Sequence, residues 1–460
     1  MEIFSNPISK KAKKKAIKTY KKNLKKFGDD SKKDYHLSLQ TNEVLSSLST
    51  YNLVLSPNKL KLDVKEPIII GNIRMGFGHY RIAMAMCSAA KYLNKTPLWM
   101  DLASFDGSTA SKLITHQNKL YSMGSRWSQK YSLFNKLYWE PLNSTGFAKL
   151  SYNAMDLQNA KLMTPLFNDL EKDIPFVGTH AWTAQAALEA KMTKVVNAIP
   201  DNWPMALHFS PGAVHTVQTN SAYWGYRTLR NMSENPVKNL DEKDIKMVGH
   251  YIDHELVSNI EVDCKKRIDN AKKGKKPVIL LTIGGAGAQA LLYEKIIDYL
   301  KDKAVVLVNV GDHLDLFSNM KKRYRAAKVH LSYSDVKTFE AEDGIHLFYN
   351  KDIFSAVYTT NILMRISDLL VTKPSELSFY PIPKLMLKRV GGHEMWGAVH
   401  SSEIGDGTYE LENENQTINM LKLLIEEPNS RVIMNNSILA ANKINLYDGA
   451  YNVIKTAFSL

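Results

Sequence analysis

Two cysteines, Cys87 and Cys264, are all that 460 residues contain. They offer neither a metal-binding spacing nor a disulfide framework, and such usage fits a reducing compartment. No run approaches the ~18 consecutive apolar residues of a membrane-spanning helix. The lysine-rich start lacks an apolar central segment, which argues against a secretory signal. No repeat of solenoid period is visible, and no clear Asp-x-Asp stands at a strand end to ask for a divalent cation. Acidic residues are also short, 46 Asp and Glu against 60 Lys and Arg, for a formal charge of +14.

That charge is placed unevenly. Residues 1–33 hold twelve lysines against Glu2, Asp29 and Asp30, so about nine of the fourteen excess charges lie there. Ile17, Tyr20, Leu24 and Phe27 recur at helical spacing among them, so the segment reads as a basic amphipathic helix. Such a helix suits an anionic membrane surface. It is equally well explained as a solvated helix that lays its stripe on its own domain. A nucleic-acid partner is not expected, because the run has little aromatic interleaving and no recognisable module.

The remainder has the composition of an ordinary globular protein, 44% hydrophobic and 23% charged, at a length that suits two domains. Residues 34–66 read as a polar lead-in. Pro67 to Ile73 is a buried strand entering Arg74-Met75-Gly76-Phe77-Gly78-His79, after which Ile82, Met86, Ala89 and Leu93 mark a helix. Strands follow at 97–102, 174–178, 194–199 and 214–218, with an aromatic-rich helical stretch at 105–170. The run KKRIDNAKKGKK reads as a flexible basic linker, which puts a domain boundary near residues 250–275. Pro277 to Gln289, PVILLTIGGAGAQ, then repeats the pattern of strand, glycine turn and helix. Further strands are expected at 304–309, 345–349, 368–371 and 384–390. A strand feeding a glycine turn and a helix presents backbone N–H groups and a helix dipole to a phosphate.

The expected division is a basic segment 1–33, an α/β domain 34–260, a second α/β domain 275–430, and a helical segment 431–460 that packs back on the first. The fold class is α/β, two doubly wound, Rossmann-like domains facing a central cleft. The order of the motifs resembles the two-domain GT-B glycosyltransferases, in the branch of monogalactosyldiacylglycerol synthase and the lipid-linked N-acetylglucosaminyltransferase. The resemblance covers roughly residues 67–410. It is carried by Met75-Gly76-Phe77-Gly78-His79, by Pro200-Asp201 with His208 and Pro211-Gly212-Ala213, by Gly249-His250-Tyr251-Ile252-Asp253, by LLTIGGAGAQ, by Ser367 to Pro374, and by Gly391-Gly392-His393-Glu394. Phe77 stands where a third glycine is usual. Ser375-Glu376 follows Lys373-Pro374 directly, and Pro381 and Pro383 preclude a helix of ordinary length there.

The resemblance implies a nucleotide-diphosphate sugar as donor substrate, no further cofactor and no metal. It places the donor on the second domain, at Gly284, Gly285, Gly287, Lys373, Ser375, Glu376, His393 and Glu394. The acceptor hydroxyl falls on the first, at the Gly76 and Gly78 loop with His79 as base, and a lipid-linked or membrane acceptor is among the candidates. Glycine N–H groups and Lys373 would neutralise the leaving diphosphate. A cytoplasmic protein, peripheral at the inner membrane face, fits this set. Two alternatives stay open: a nucleotide-sugar epimerase or hydrolase of the same fold, and a non-catalytic binding relative.

Overall fold

The structure is a computed structural model describing residues 2–233, 237–283 and 289–460. The chain divides into two compact units, residues 1–253 with 448–460, and residues 254–447.

In the first unit β1 (Glu2–Ile3) and β2 (Asn6–Pro7) make a short antiparallel pair. The main sheet has eight strands: β3 (His36–Thr41), β4 (Tyr51–Ser56), β5 (Pro67–Asn72), β6 (Thr96–Asp101), β7 (Phe176–Gly178), β8 (Val195–Ala198), β9 (Val214–Val217) and β10 (Ile245–Met247). Their order is β10-β9-β8-β7-β5-β6-β4-β3, parallel throughout except for β3 against β4. Ile68, Ile69, Ile70, Phe176 and Val177 are fully buried, as strands covered on both faces must be. From β5 the chain goes to β6 on one side and returns to β7 on the other, so the strand order reverses between β5 and β7. Beyond the carboxyl ends of such a strand pair a doubly wound sheet offers its binding crevice.

Residues 34–66 are no lead-in. They supply β3 and β4, an edge hairpin in which few side chains besides Leu37 and Leu53 are buried, so the alternation that marks a half-buried strand is weak. The basic segment does form a helix, α1 (Lys10–Phe27), capped by the Ser9 hydroxyl. Tyr20, Leu24 and Phe27 lie against the core of the first unit. Ala16 and Asn23 are buried, and the Asn23 Nδ2 donates to Asn159 Oδ1 at 3.0 Å. Tyr20, Leu24 and Phe27 of the apolar stripe are therefore spent on the helix's own domain, while Ile17 stays 38% exposed among the lysines.

The second unit has a six-stranded parallel sheet of β11 (Val278–Thr282), β12 (Val305–Asn309), β13 (Lys328–His330), β14 (Ile345–Phe348), β15 (Leu369–Thr372) and β16 (Lys384–Met386), ordered β13-β14-β12-β11-β15-β16. Here the order reverses between β11 and β15. The expected linker is instead the helix Ile260–Lys272. Its Arg267 is buried, with Nε donating to Ser367 O and Nη2 to Met364 O, each at 2.8 Å. A buried arginine that satisfies backbone carbonyls cannot be told from a solvated one in a lysine-rich run. The C-terminal segment is shared: the helix Pro428–Lys443 lies in the second unit, while Gly449–Phe458 joins the first. There Gly449 must be glycine, since a Cβ would lie 2.2 Å from the carbonyl oxygen of Gly249.

Candidate functional site

Both strand-order reversals carry residues singled out by the sequence. In the first unit β5 ends at Asn72, and Ile73 to Phe77 turn into α2 (Gly78–Tyr92). Gly76 holds φ +84° with no atom within 4 Å of where a Cβ would be, so its requirement for glycine is conformational rather than spatial. Phe77 caps α2 without a side-chain hydrogen bond.

His79 sits half-buried in the first turn of α2, and its Nδ1 lies 2.7 Å from the carbonyl oxygen of Thr179, just past β7. A carbonyl only accepts, so Nδ1 carries the proton and a neutral ring has its lone pair on Nε2. His180 is edge-on to it, ring centroids 4.8 Å apart. His180 caps α6 (Ala181–Glu189) by accepting from Trp182 N at 3.1 Å, which assigns its own ring proton to Nε2. Burial first, then the neighbouring His79 and His208, holds its pKa well below the usual imidazole range, with Asp201 opposing. That ring is neutral at physiological pH. His208 lies 3.0 Å from Asp201 Oδ2, a pair placed by the segment that follows β8.

Asn72 is fully buried at the end of β5, and neither atom of its amide finds a partner among the described residues. Asp101 pairs with it in register at the end of β6. Burial raises the Asp101 pKa, against hydrogen bonds from the Tyr80 hydroxyl and from Ala103 N. The edge of the sheet thus gathers Asn72, His79, His180, Asp201 and His208 around the exits of β5, β7 and β8. The sequence pointed to His79 alone for chemistry. Asp201 and His208 entered only through the motif resemblance, and Asn72 and His180 only as polar residues at strand ends, signals that do not rank them for chemistry.

In the second unit Gly284, Gly285 and Gly287 lie outside the described residues. Their flanks are placed: β11 ends at Thr282, and Gln289 begins the following helix at φ +65°, donating from Nε2 to Lys388 O at 2.7 Å. Gln289 is thereby tied to the segment after β16. Past β15, Lys373 forms an ion pair with Glu394. The second oxygen of Glu394 accepts from Val390 N at 2.8 Å and Gly391 N at 3.4 Å. Ser375 N bonds Lys373 O at 2.8 Å, and Glu376 opens a single 3-10 turn, Glu376–Phe379, ahead of Pro381 and Pro383. The ring of His393 folds over Gly391, where a Cβ would come within 2.6 Å of it. Lys373 and Glu394 are brought together, and Gln289 bonds the same segment at Lys388. Both oxygens of Glu394 thus take part in contacts inside the protein, one with Lys373 and the other with backbone N–H groups.

Among the described residues no group of three or more His, Cys, Asp or Glu could hold a metal ion. Among them, too, no helix is long and apolar enough to cross a membrane.

Residues 2–228 match the model of a family described as "Domain of unknown function (DUF6937)", and residues 240–458 one described as "Domain of unknown function (DUF6938)". No curated protein matches the chain. Among solved structures it is similar to the UDP-GlcNAc 2-epimerase of Neisseria meningitidis bound to UDP-GlcNAc, with 13% identity over 86% of this chain and 100% of that one, TM-score 0.43. It is also similar to a glycosyltransferase of Rickettsia africae, with 14% identity over 86% and 97%, TM-score 0.41. A UDP-forming trehalose-phosphate synthase of Burkholderia vietnamiensis shows 10% identity over 87% and 99%, TM-score 0.41.

Proposed function

We propose that the chain is a glycosyltransferase, moving a sugar from a nucleotide-diphosphate donor to an acceptor hydroxyl with inversion at the anomeric carbon. The observation that carries this reading is the state of His79. Its Nδ1–H is committed to a backbone carbonyl at 2.7 Å, at the point where the first sheet reverses its strand order. A neutral imidazole so held offers Nε2 as a base. The acceptor oxygen attacks the anomeric carbon, the bond from that carbon to the diphosphate oxygen breaks, and the hydroxyl proton passes to Nε2. The electron pair leaves with the diphosphate, whose growing charge must be met by fixed donors. We assign that task to the N–H groups of Gly284, Gly285 and Gly287 and to Lys373, with Glu394 holding the lysine in place. Ser375 and Glu376 are assigned to the ribose and His393 to the sugar side. A lipid-linked acceptor belongs to the same proposal through the motif resemblance.

A second reading, epimerisation or hydrolysis of the nucleotide sugar, is favoured by one observation. The Asp201–His208 pair supplies the first unit with a further acid–base group beside His180. One experiment separates the two. The chain is incubated with nucleotide sugars, with and without a panel of acceptor alcohols and lipids, and release of nucleoside diphosphate and change of the sugar are followed. Transfer predicts diphosphate release that depends on acceptor. An epimer or free sugar formed without acceptor would replace the transfer reading. Absence of turnover together with absence of any thermal stabilisation by nucleotides would overturn both, since a ligand at ~100 times its Kd adds about 2.7 kcal/mol.

A further inference from the structure

The exposed large apolar side chains of the first unit are concentrated in one place. Trp127, near the end of α3 (Thr109–Lys130), is 47% exposed, Tyr131 51%, Leu133 and Leu137 68% each, and Tyr138 58%. They run through α4 (Ser132–Phe134) and the π-helical stretch Asn135–Trp139. Ring contacts join Trp127 to Phe134 at 5.9 Å and Phe134 to Tyr138 at 5.4 Å, so these three rings are contiguous, and the exposed Leu133 and Leu137 are their chain neighbours. A soluble protein rarely leaves such a patch uncovered without a use for it.

Its charge says what covers it. Between Asp106 and Glu140 there is no acidic residue, while Lys112, Lys119, Arg126, Lys130 and Lys136 are interspersed. Lys119, Arg126, Lys130 and Lys136 are exposed around the apolar residues. The basic helix α1 adjoins the same element: Lys26 Nζ lies 2.7 Å from His116 Nε2, one turn before Leu120 on that face of α3. We propose that residues 120–138 are a docking surface for the headgroup region of an anionic lipid bilayer, with the lysines of α1 as an outlying attraction. Tryptophan and tyrosine seat their rings at headgroup level, Leu133 and Leu137 enter the acyl boundary, and lysine stems lie alongside with their ammonium groups toward lipid phosphates. Nucleic acid would meet the same charge but leave the two leucines uncovered in water. The surface differs from the one the sequence suggested, because three of the four stripe residues of α1, Tyr20, Leu24 and Phe27, lie on its own core. The inference stands apart from the transferase reading and uses none of its residues.

The test uses the full chain and sedimentation with vesicles of phosphatidylcholine, alone or mixed with phosphatidylglycerol. Wild type should sediment with the anionic vesicles and bind the neutral ones at least about tenfold more weakly. The triple variant Trp127→Ser, Leu133→Ser, Leu137→Ser alters exposed side chains and should keep its melting temperature. It should lose about tenfold or more of the anionic-vesicle binding, most visibly at a salt concentration that screens the lysines. A second variant, Lys14→Glu, Lys18→Glu, Lys21→Glu on α1, should reduce binding at low salt only. Wild type left in the supernatant at low salt would overturn the proposal. So would the serine variant binding as wild type does while the α1 variant does not, which would return the surface to α1. Capture of an acidic protein with no vesicle binding would overturn it in favour of a protein partner.

Discussion

The carbonyl oxygen of Thr179 accepts a hydrogen bond from His79 Nδ1 at 2.7 Å, joining residues 100 positions apart. The bond links the exits of β5 and β7 and fixes the tautomer of the ring. A backbone acceptor does this without adding a charge beside the base, unlike the Asp201 carboxylate beside His208. The adjacent His180 is kept neutral by burial, by His79 and by His208, so a proton arriving on His79 does not meet a second cation at 4.8 Å.

If His79 is the base, His79→Ala should lower turnover about 10²–10⁴-fold, the usual span of general-base catalysis. Nucleotide affinity should hold within about twofold, because the donor is assigned to the other unit. Steady-state kinetics beside calorimetric titration of nucleoside diphosphate checks both. A stable variant turning over at the wild-type rate would remove His79 from the mechanism.

Lys373→Met should weaken nucleoside diphosphate binding about tenfold, equivalent to ~1.4 kcal/mol. The lysine is 22% exposed and its partner Glu394 keeps two backbone donors, so the melting temperature should change little. Glu394→Gln, which keeps those acceptor contacts through its amide oxygen but loses the charge, should give a smaller loss. Equal affinity across all three proteins would show that Lys373 does not face the diphosphate.

Asp156, on the helix Leu150–Asn159, is buried, and burial raises its pKa to about 7. The folded-state pKa lies above the unfolded one, so the native protein holds the proton through a range in which the unfolded chain has released it. Stability from this group is full below about pH 4 and declines as pH rises to about 7. Asp156→Asn should flatten that part of the stability profile and be the more stable protein at pH 8, by roughly 1–4 kcal/mol. Denaturant melts from pH 4 to 8 measure it. Parallel profiles for the two proteins would contradict the assignment.

Lys384 and Asp406 are both fully buried, 2.6 Å apart, and the ammonium also donates to Tyr380 O at 2.8 Å and Ile382 O at 3.1 Å. Lys384→Met strands the carboxylate and should destabilise by about 3–5 kcal/mol. Lys384→Met with Asp406→Leu removes both charges and should recover much of that loss. Thermal melts of the two variants decide it, and a double variant less stable than the single would refute the pairing argument.

Unbroken apolar runs such as Ile68–Ile70 and Ile279–Leu281 announce strands buried on both faces, and the glycine at Gly76 announces the turn after one of them. The two-sheet α/β class follows from that local pattern, because burial of both strand faces demands helices on each side. The hairpin of β3, at the sheet edge, and β4 was illegible because few of its side chains are buried. The helix Ile260–Lys272 was hidden because its basic composition does not say where Arg267 is inserted.

The candidate base was legible, since a glycine turn ending in histidine after a buried strand is a local feature. Its tautomer was not. Only the return of the chain to β7, a hundred residues later, sets Thr179 O against Nδ1, and only the reversal of strand order makes that edge a crevice. The amphipathic stripe of α1 shows the same limit: sequence fixes that one face is apolar, and tertiary packing decides what that face is buried against. Periodicity is a property of neighbours along the chain, whereas burial, tautomer and ion pairing depend on groups brought together from far apart in it.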